Sequence, residues 1–257
     1  MAIGVRLTID QTLSRIGRAL KNKRPLSLVR VGDGENIVLA QSSVWTQRRV
    51  MREQWAIQAK KGRKGIPFPS LKLRDQVADA IRRADIVGVL PPGDRMINAP
   101  AYLKRPLTNQ VFLHFGLAPQ VTCHACFNRI AVRKARFRRI LRGKRILVVT
   151  AKPGEVKAQL ERKPYRLRVT ATIPFSHYRQ LGRTMRRVRA LRSRFDIALI
   201  SCGISAVLLA PRIADATGKV AVDFGKAPKK MRGTRRGRRR NKNRKRRRNR
   251  GQGRKKS

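Results

Sequence analysis

Acidic side chains are scarce in this sequence: 13 Asp and Glu stand against 64 Lys and Arg, a formal charge of +51. A chain so poor in negative charge is excluded as a binder of polycations and must attract polyanions. Cysteine is equally sparse. Cys123, Cys126 and Cys202 are the only three, too few for a disulfide framework. No apolar run approaches the roughly 18 residues that span a bilayer. The first residues, Met1 to Gly17, are interrupted by Arg6, Asp10 and Arg15 and lack a secretory apolar segment. The expectation is a cytoplasmic protein with no transmembrane segment, able to associate with an anionic surface. Two nucleotide-binding patterns are also missing. There is no G-x-x-x-x-G-K-[ST], and no G-x-G-x-x-G follows a strand.

What is present is enough for a core. Hydrophobic residues make up 41% of 257, too many for a wholly disordered chain and enough for one ordinary α/β domain or two small ones. The charge divides the chain. From Lys226 to Ser257, 19 of 32 residues are Lys or Arg, none is acidic, and no aromatic follows Phe224. Such a segment cannot bury enough surface to offset its ordering entropy. The reading is a domain over 1–225 and a disordered basic tail over 226–257. Without interleaved aromatics the tail would bind polyanions, whether nucleic acid or anionic cell polymers, by charge rather than by base sequence.

Residues 1–225 alternate between helical and strand patterns. Ile9, Leu13, Ile16 and Leu20 recur at helical spacing and predict a helix over 9–22. Strands are predicted at 26–31, 86–90, 145–150, 168–173, 196–200 and 220–224, with a short strand and turn at 121–127. Helices fall at about 47–60, 70–84, 100–116, 131–142, 153–162, 177–194 and 205–217. Ser70 is placed as an N-cap, Pro153 in a first turn and Gly218 as a helix stop. This order predicts a Rossmann-like, mostly parallel sheet flanked by helices. Ligand sites in such sheets lie beyond the carboxyl ends of the strands.

One strand end carries most of the chemistry. Ser27-Leu-Val-Arg-Val-Gly-Asp-Gly-Glu35 delivers Arg30 and then Asp33 and Glu35 in a glycine-rich turn. Paired carboxylates at this spacing suit a hard divalent cation, Mn2+ or Mg2+, or else form the first turn of a helix favoured by its dipole. Gly32 and Gly34 let the backbone approach a ligand. Arg30 can pair with a phosphate or orient a carboxylate.

This stretch resembles the "S-x-x-R-x-G-D-G-E" segment of the GT-D fold glycosyltransferases, bacterial enzymes that use a D-x-E pair with a metal and a nucleotide sugar. Asp196 to Ala210 resembles that family's strand, "G-P-T-A" turn and helix. Val220-Ala-Val-Asp-Phe-Gly225 is similar to its closing "A-x-D-x-G" strand. Two segments depart. Gly225-Lys-Ala-Pro228 stands where the family has "G-H-I-D", and Thr150 to Glu155 stands where it has "E-G-x-x-S/T-R-x-G".

The resemblance implies a metal-dependent glycosyltransferase with a nucleotide-sugar donor, such as a UDP-sugar, and a glycan or protein acceptor. It places Asp33 and Glu35 as catalytic and metal-binding, and Arg30, Gly32, Gly34, Gly203, Ser205 and Asp223 around the donor. Asp223 would face the ribose or sugar, or cap local backbone. An acceptor base is sought in His177, with Asp94 as the other candidate. The competing reading is a non-enzymatic polyanion- or nucleic-acid-binding protein that reuses a degenerate GT-D fold.

Two further features are set aside at this stage. Cys123-His-Ala-Cys126 has no second knuckle for a structural zinc site and reads as small buried residues. The arginines of 178–194 read as a solvated helix face or as an additional polyanion surface, since Leu181, Met185, Val188 and Leu191 already supply its apolar stripe.

Overall fold

The computed structural model describes residues 4–231. Eight strands form one sheet: β1 Val5–Arg6, β2 Leu26–Arg30, β3 Ile86–Val89, β4 Val121–His124, β5 Arg145–Thr150, β6 Arg168–Pro174, β7 Ile197–Ser201 and β8 Val220–Asp223. Twelve α-helices are described: α1 Ile9–Lys21, α2 Asp33–Ala40, α3 Gln47–Val50, α4 Gln54–Lys60, α5 Leu71–Arg83, α6 Arg105–His114, α7 Phe127–Ala131, α8 Ala135–Leu141, α9 Pro153–Glu161, α10 Leu181–Ala190, α11 Ile204–Thr217 and α12 Ala227–Met231. The strand order is β1-β4-β3-β2-β8-β7-β5-β6, and each paired neighbour is parallel.

The central strands are buried on both faces. β2, β3, β7 and β8 are apolar almost throughout, as parallel strands covered by helices must be. One core layer joins α2, α5, α10 and α11 to the sheet. The other packs α1, α7, α8 and α9 on the opposite face. The order in sequence reverses at β2: the chain runs outward through β3 and β4 on one side, and β8 and β7 lie on the other. The carboxyl ends of β2 and β8 therefore flank the topological switch point, where open α/β sheets hold ligands.

Local chemistry sets the helix ends. The Ser70 Oγ accepts the Leu73 N–H at 3.2 Å, capping α5 as predicted. Thr8 and Gln11 form a reciprocal capping box at the start of α1.

The structure departs from the sequence reading in four places. The segment 177–194 is α10 flanked by 3-10 turns at Tyr178–Gln180 and Arg192–Arg194, not one helix. The stretch 47–60 divides into two short helices, α3 and α4, and 131–142 holds only α8 after α7 has ended at Ala131. A further strand, β1, pairs with β4. The packed chain also continues past Gly225, since α12 buries Ala227 and Met231. Of the basic tail, 232–257 lies outside the described residues.

Candidate active site at the switch point

β2 ends on Arg30, and β8 ends on Asp223, one register step away. The Arg30 Nη2 donates to Asp223 Oδ1 at 2.8 Å, and its Nε donates to the Asp223 carbonyl at 3.1 Å. A third bond runs from Nη1 to the Ala125 carbonyl at 3.3 Å. The Asp223 side chain is 1% exposed. Burial pushes its carboxyl up, and the adjacent guanidinium pulls it back. Burial likewise opposes the charge on Arg30, but Asp223 outweighs it and holds the guanidinium above its ordinary value. Of the two sequence readings of Arg30, the structure shows the one in which it orients a carboxylate.

Glycine makes room for this pair. Gly225 sits at φ +42°, and a β-carbon there would lie 2.0 Å from Arg30 Nη2. No other residue fits without dislodging the guanidinium. Asn128 completes the corner, donating from Nδ2 to the Phe224 carbonyl at 2.7 Å.

α2 opens beside them. Gly32 is its N-cap, and Asp33, Gly34 and Glu35 are its first three residues. The expected turn is thus the first turn of a helix. The Gly32 N–H donates to Glu35 Oε2 at 2.8 Å, so the Glu35 carboxylate folds back to the helix mouth. Burial, together with the charges of Asp223 and Asp33 and against the pull of Arg30, lifts Glu35 to about 7. Asp33 is partly exposed. A β-carbon on Gly34 would stand 2.8 Å from the Trp55 ring, so the indole lies flush against the helix mouth.

Across β7, Gly203 is the N-cap of α11 at φ +60°, and Ser205 is buried in its first turn. Asp223 Oδ2, Ser201 Oγ and Ser205 Oγ are buried with no hydrogen-bond partner. Buried polar atoms are rarely left this way. These three belong to the end of β8, the end of β7 and the start of α11. A helix amino terminus with inward hydroxyls suits a phosphate.

The local charge fits a divalent cation. Asp223 and Asp33 both act on Glu35, with Arg30 as the cation that opposes them. This acidic centre lies inside a +51 chain, and a bound cation would counter the burial and the neighbouring acids that raise Glu35.

His177 is placed elsewhere. It follows β6, which stands four strands from β2 in the sheet. Its Nδ1 accepts the Arg179 N–H at 3.2 Å, and it lines a cleft of about 420 Å³ with Lys60, Ile66, Phe68 and Tyr178. The structure brings together Arg30, Gly32, Asp33, Glu35 and Asp223, but not His177.

Asp94, the other base candidate, belongs to a constellation that sequence reasoning missed. Asp94, His124 and Cys126 each bring a ligand atom within 4.8 Å of the others, a candidate metal-ligand trio among the described residues. Asp94 Oδ1 is buried with no hydrogen-bond partner and lies 4.0 Å from His124 Nε2, while its Oδ2 and carbonyl oxygen are engaged. The Lys104 Nζ donates to the Asp94 carbonyl at 2.6 Å and stands 3.7 Å from Oδ2. Ile97 N–H donates to Oδ2, and Cys126 N–H donates to His124 Nδ1 at 2.9 Å. Burial pushes the Cys126 thiol up and the His124 imidazole down. The one available sequence signal was the histidine within C-x-x-C. Cys123 points into the core instead, and its thiol is pushed up to about 12.

The profile of the GT-D-like family, described as a GT-D fold-like domain, matches residues 7–231. The chain belongs to this family. Two solved structures share its fold. One is described as a selenomethionine-substituted domain of unknown function 1792, with TM-score 0.59, 14% identity, and coverage of 91% of this chain and 82% of that one. The other is described as showing that this highly conserved domain has a distinct glycosyltransferase fold, with TM-score 0.60, 13% identity and the same coverage. No curated protein matches the sequence. Among the described residues of this GT-D-like chain, no helix is long and apolar enough to cross a membrane.

Proposed function

We propose that this GT-D-like protein is a metal-dependent glycosyltransferase that moves a sugar from a nucleotide-sugar donor, of the UDP-sugar class, to a glycan or protein acceptor. The observation that carries the reading is the acidic centre, anchored by the buried Asp223, at the switch point of a sheet shared with a glycosyltransferase fold. Asp33 and the free oxygen of Glu35 would hold Mn2+ or Mg2+. When bound, such a cation offsets charge that develops on the departing diphosphate.

The chain's own residues supply the rest. Arg30 holds Asp223 at the floor of the site. The α11 amino terminus, with Gly203 and Ser205, presents amides and a hydroxyl to a phosphate. Gly32 and Gly34 keep the mouth of α2 low enough for close approach. Electrostatic stabilisation of this kind, set in place before reaction, is the usual main source of rate. The aromatic and basic cleft around His177 would hold an outer part of the acceptor, whose reacting hydroxyl must reach the Asp33 and Glu35 mouth. The Lys/Arg-rich segment beyond Met231 would tether the enzyme to polyanions by charge.

Thermal melting of the full chain with a panel of nucleotide sugars, with and without Mn2+, tests the reading. A ligand that binds only the native state raises the midpoint by mass action. Stabilisation should require both donor and metal and should vanish in Asp33→Ala. No shift with any donor would overturn the proposal.

A further inference from the structure

The folded domain carries a second charged surface, unrelated to the acidic centre. Between Glu161 and Asp196 the sequence has no acidic residue and eleven Lys or Arg. Six of these arginines, Arg183, Arg186, Arg187, Arg189, Arg192 and Arg194, fall on α10 and the 3-10 turn that follows it. All six are exposed. Other surface cations, exposed or half-buried, are partly answered by acids: Lys134 by Asp10, Arg83 by Asp215, Lys157 by Glu161, Arg145 by Asp196. None of these six arginines has an acidic partner among the described residues.

The helix does not need them for its fold. Leu181, Met185 and Val188 fill its buried side. The arginines at 183, 186, 187 and 189 repel one another at i,i+3 and i,i+4 spacing, which weakens a helix. A bare solvated face would be served as well by mixed charge.

The surface is also tied down at both ends. η-type turns at both ends of α10 are pinned, by Tyr178 N–H on the Gly65 carbonyl at 2.7 Å and by Thr170 Oγ on the Arg194 carbonyl at 2.7 Å. The first of these bonds ties it to the exposed basic loop of Lys61, Arg63 and Lys64.

We infer that α10 and its flanking turn form a sequence-independent docking face for the phosphate backbone of duplex nucleic acid. Three observations select that partner. The cations are all arginine, whose planar fork matches phosphate. None of the exposed large hydrophobic residues lies on this face, which disfavours insertion into a lipid surface and base stacking of a single strand. The ten residues of α10 extend about 15 Å, a fixed row that suits a polymer whose phosphates are already fixed, since a flexible one loses more freedom on docking.

The test uses the full chain and a 20-base-pair duplex of arbitrary sequence, with affinity measured against salt. The variant is Arg183→Gln with Arg186→Gln, Arg187→Gln and Arg189→Gln; glutamine keeps helix propensity. The control removes equal charge from α1 and its end: Arg15→Gln, Arg18→Gln, Lys21→Gln and Arg24→Gln. The α10 variant should bind at least about tenfold more weakly, with a salt slope lower by about 3, as expected for lost phosphate contacts. The control should change the slope by less than about 1. The half-variants Arg183→Gln/Arg187→Gln and Arg186→Gln/Arg189→Gln should each show about half the effect, so misfolding of the quadruple variant leaves the inference testable. An α10 variant no weaker than the control overturns it. So does a loss seen on phosphatidylserine vesicles or heparin but not on the duplex. Donor-dependent melting is read separately, so failure here and failure of the glycosyltransferase reading are distinguishable.

Discussion

Arg30 and Asp223, 193 positions apart in sequence, meet at 2.8 Å where the carboxyl ends of β2 and β8 adjoin. Their pairing joins the two strand ends beneath the site and acts on the charge of Glu35. Breaking a buried pair strands the surviving charge. Arg30→Ala should lower stability by about 3–5 kcal/mol in urea denaturation. Asp223→Asn should cost less, because the amide keeps a hydrogen-bond acceptor for the guanidinium.

Gly225 should be coupled to that pair. Alanine at this position would meet Arg30 Nη2 at 2.0 Å and occupy φ +42°. Gly225→Ala should destabilise by about 2–3 kcal/mol, in the range of overpacking and backbone strain. In an Arg30→Ala background the same change should cost clearly less. A double-mutant cycle with no coupling would show that the glycine serves another purpose.

Glu35 makes stability depend on pH. Its carboxyl titrates near 4.5 when free and near 7 when folded, so the native state binds more protons between these values. The stabilisation is full below about 4.5 and is lost as pH rises through about 7, by up to about 3 kcal/mol. Glu35→Gln should flatten that decline in melts from pH 4.5 to 8. Mn2+ binding should release a proton and tighten above pH 7. An unchanged pH profile in the variant would refute the assignment.

Gly34 tests the closeness of the site mouth. A β-carbon there would stand 2.8 Å from Trp55. Gly34→Ala should shift the indole, alter tryptophan fluorescence and lower stability by about 1–3 kcal/mol. Donor-dependent stabilisation should fall more than stability does, because α2 begins at the proposed metal pair.

The elements that were legible in the sequence had local causes. The strand at 145–150 and the helix capped by Ser70 followed from apolar runs and a side-chain cap, and both are present. The segment 177–194 misled because its apolar spacing continues through the 3-10 turns, whose ends are fixed by contacts with Gly65 and Thr170 that lie far off in sequence. At the site, Asp33, Glu35, Arg30 and Asp223 were all visible as residues. That Arg30 would take Asp223 and that His177 would stand four strands away depended on strand order.

The sequence by itself determined the α/β class, the basic balance of the surface and the acids at the end of the second predicted strand, because periodicity, charge and capping act over a few neighbouring residues. Only the tertiary structure decided which acid Arg30 holds, how far Glu35 is lifted, and that Asp94, His124 and Cys126 converge. Those outcomes rest on which strand ends become neighbours and how deeply they are buried, and both are set by the packing of the whole sheet.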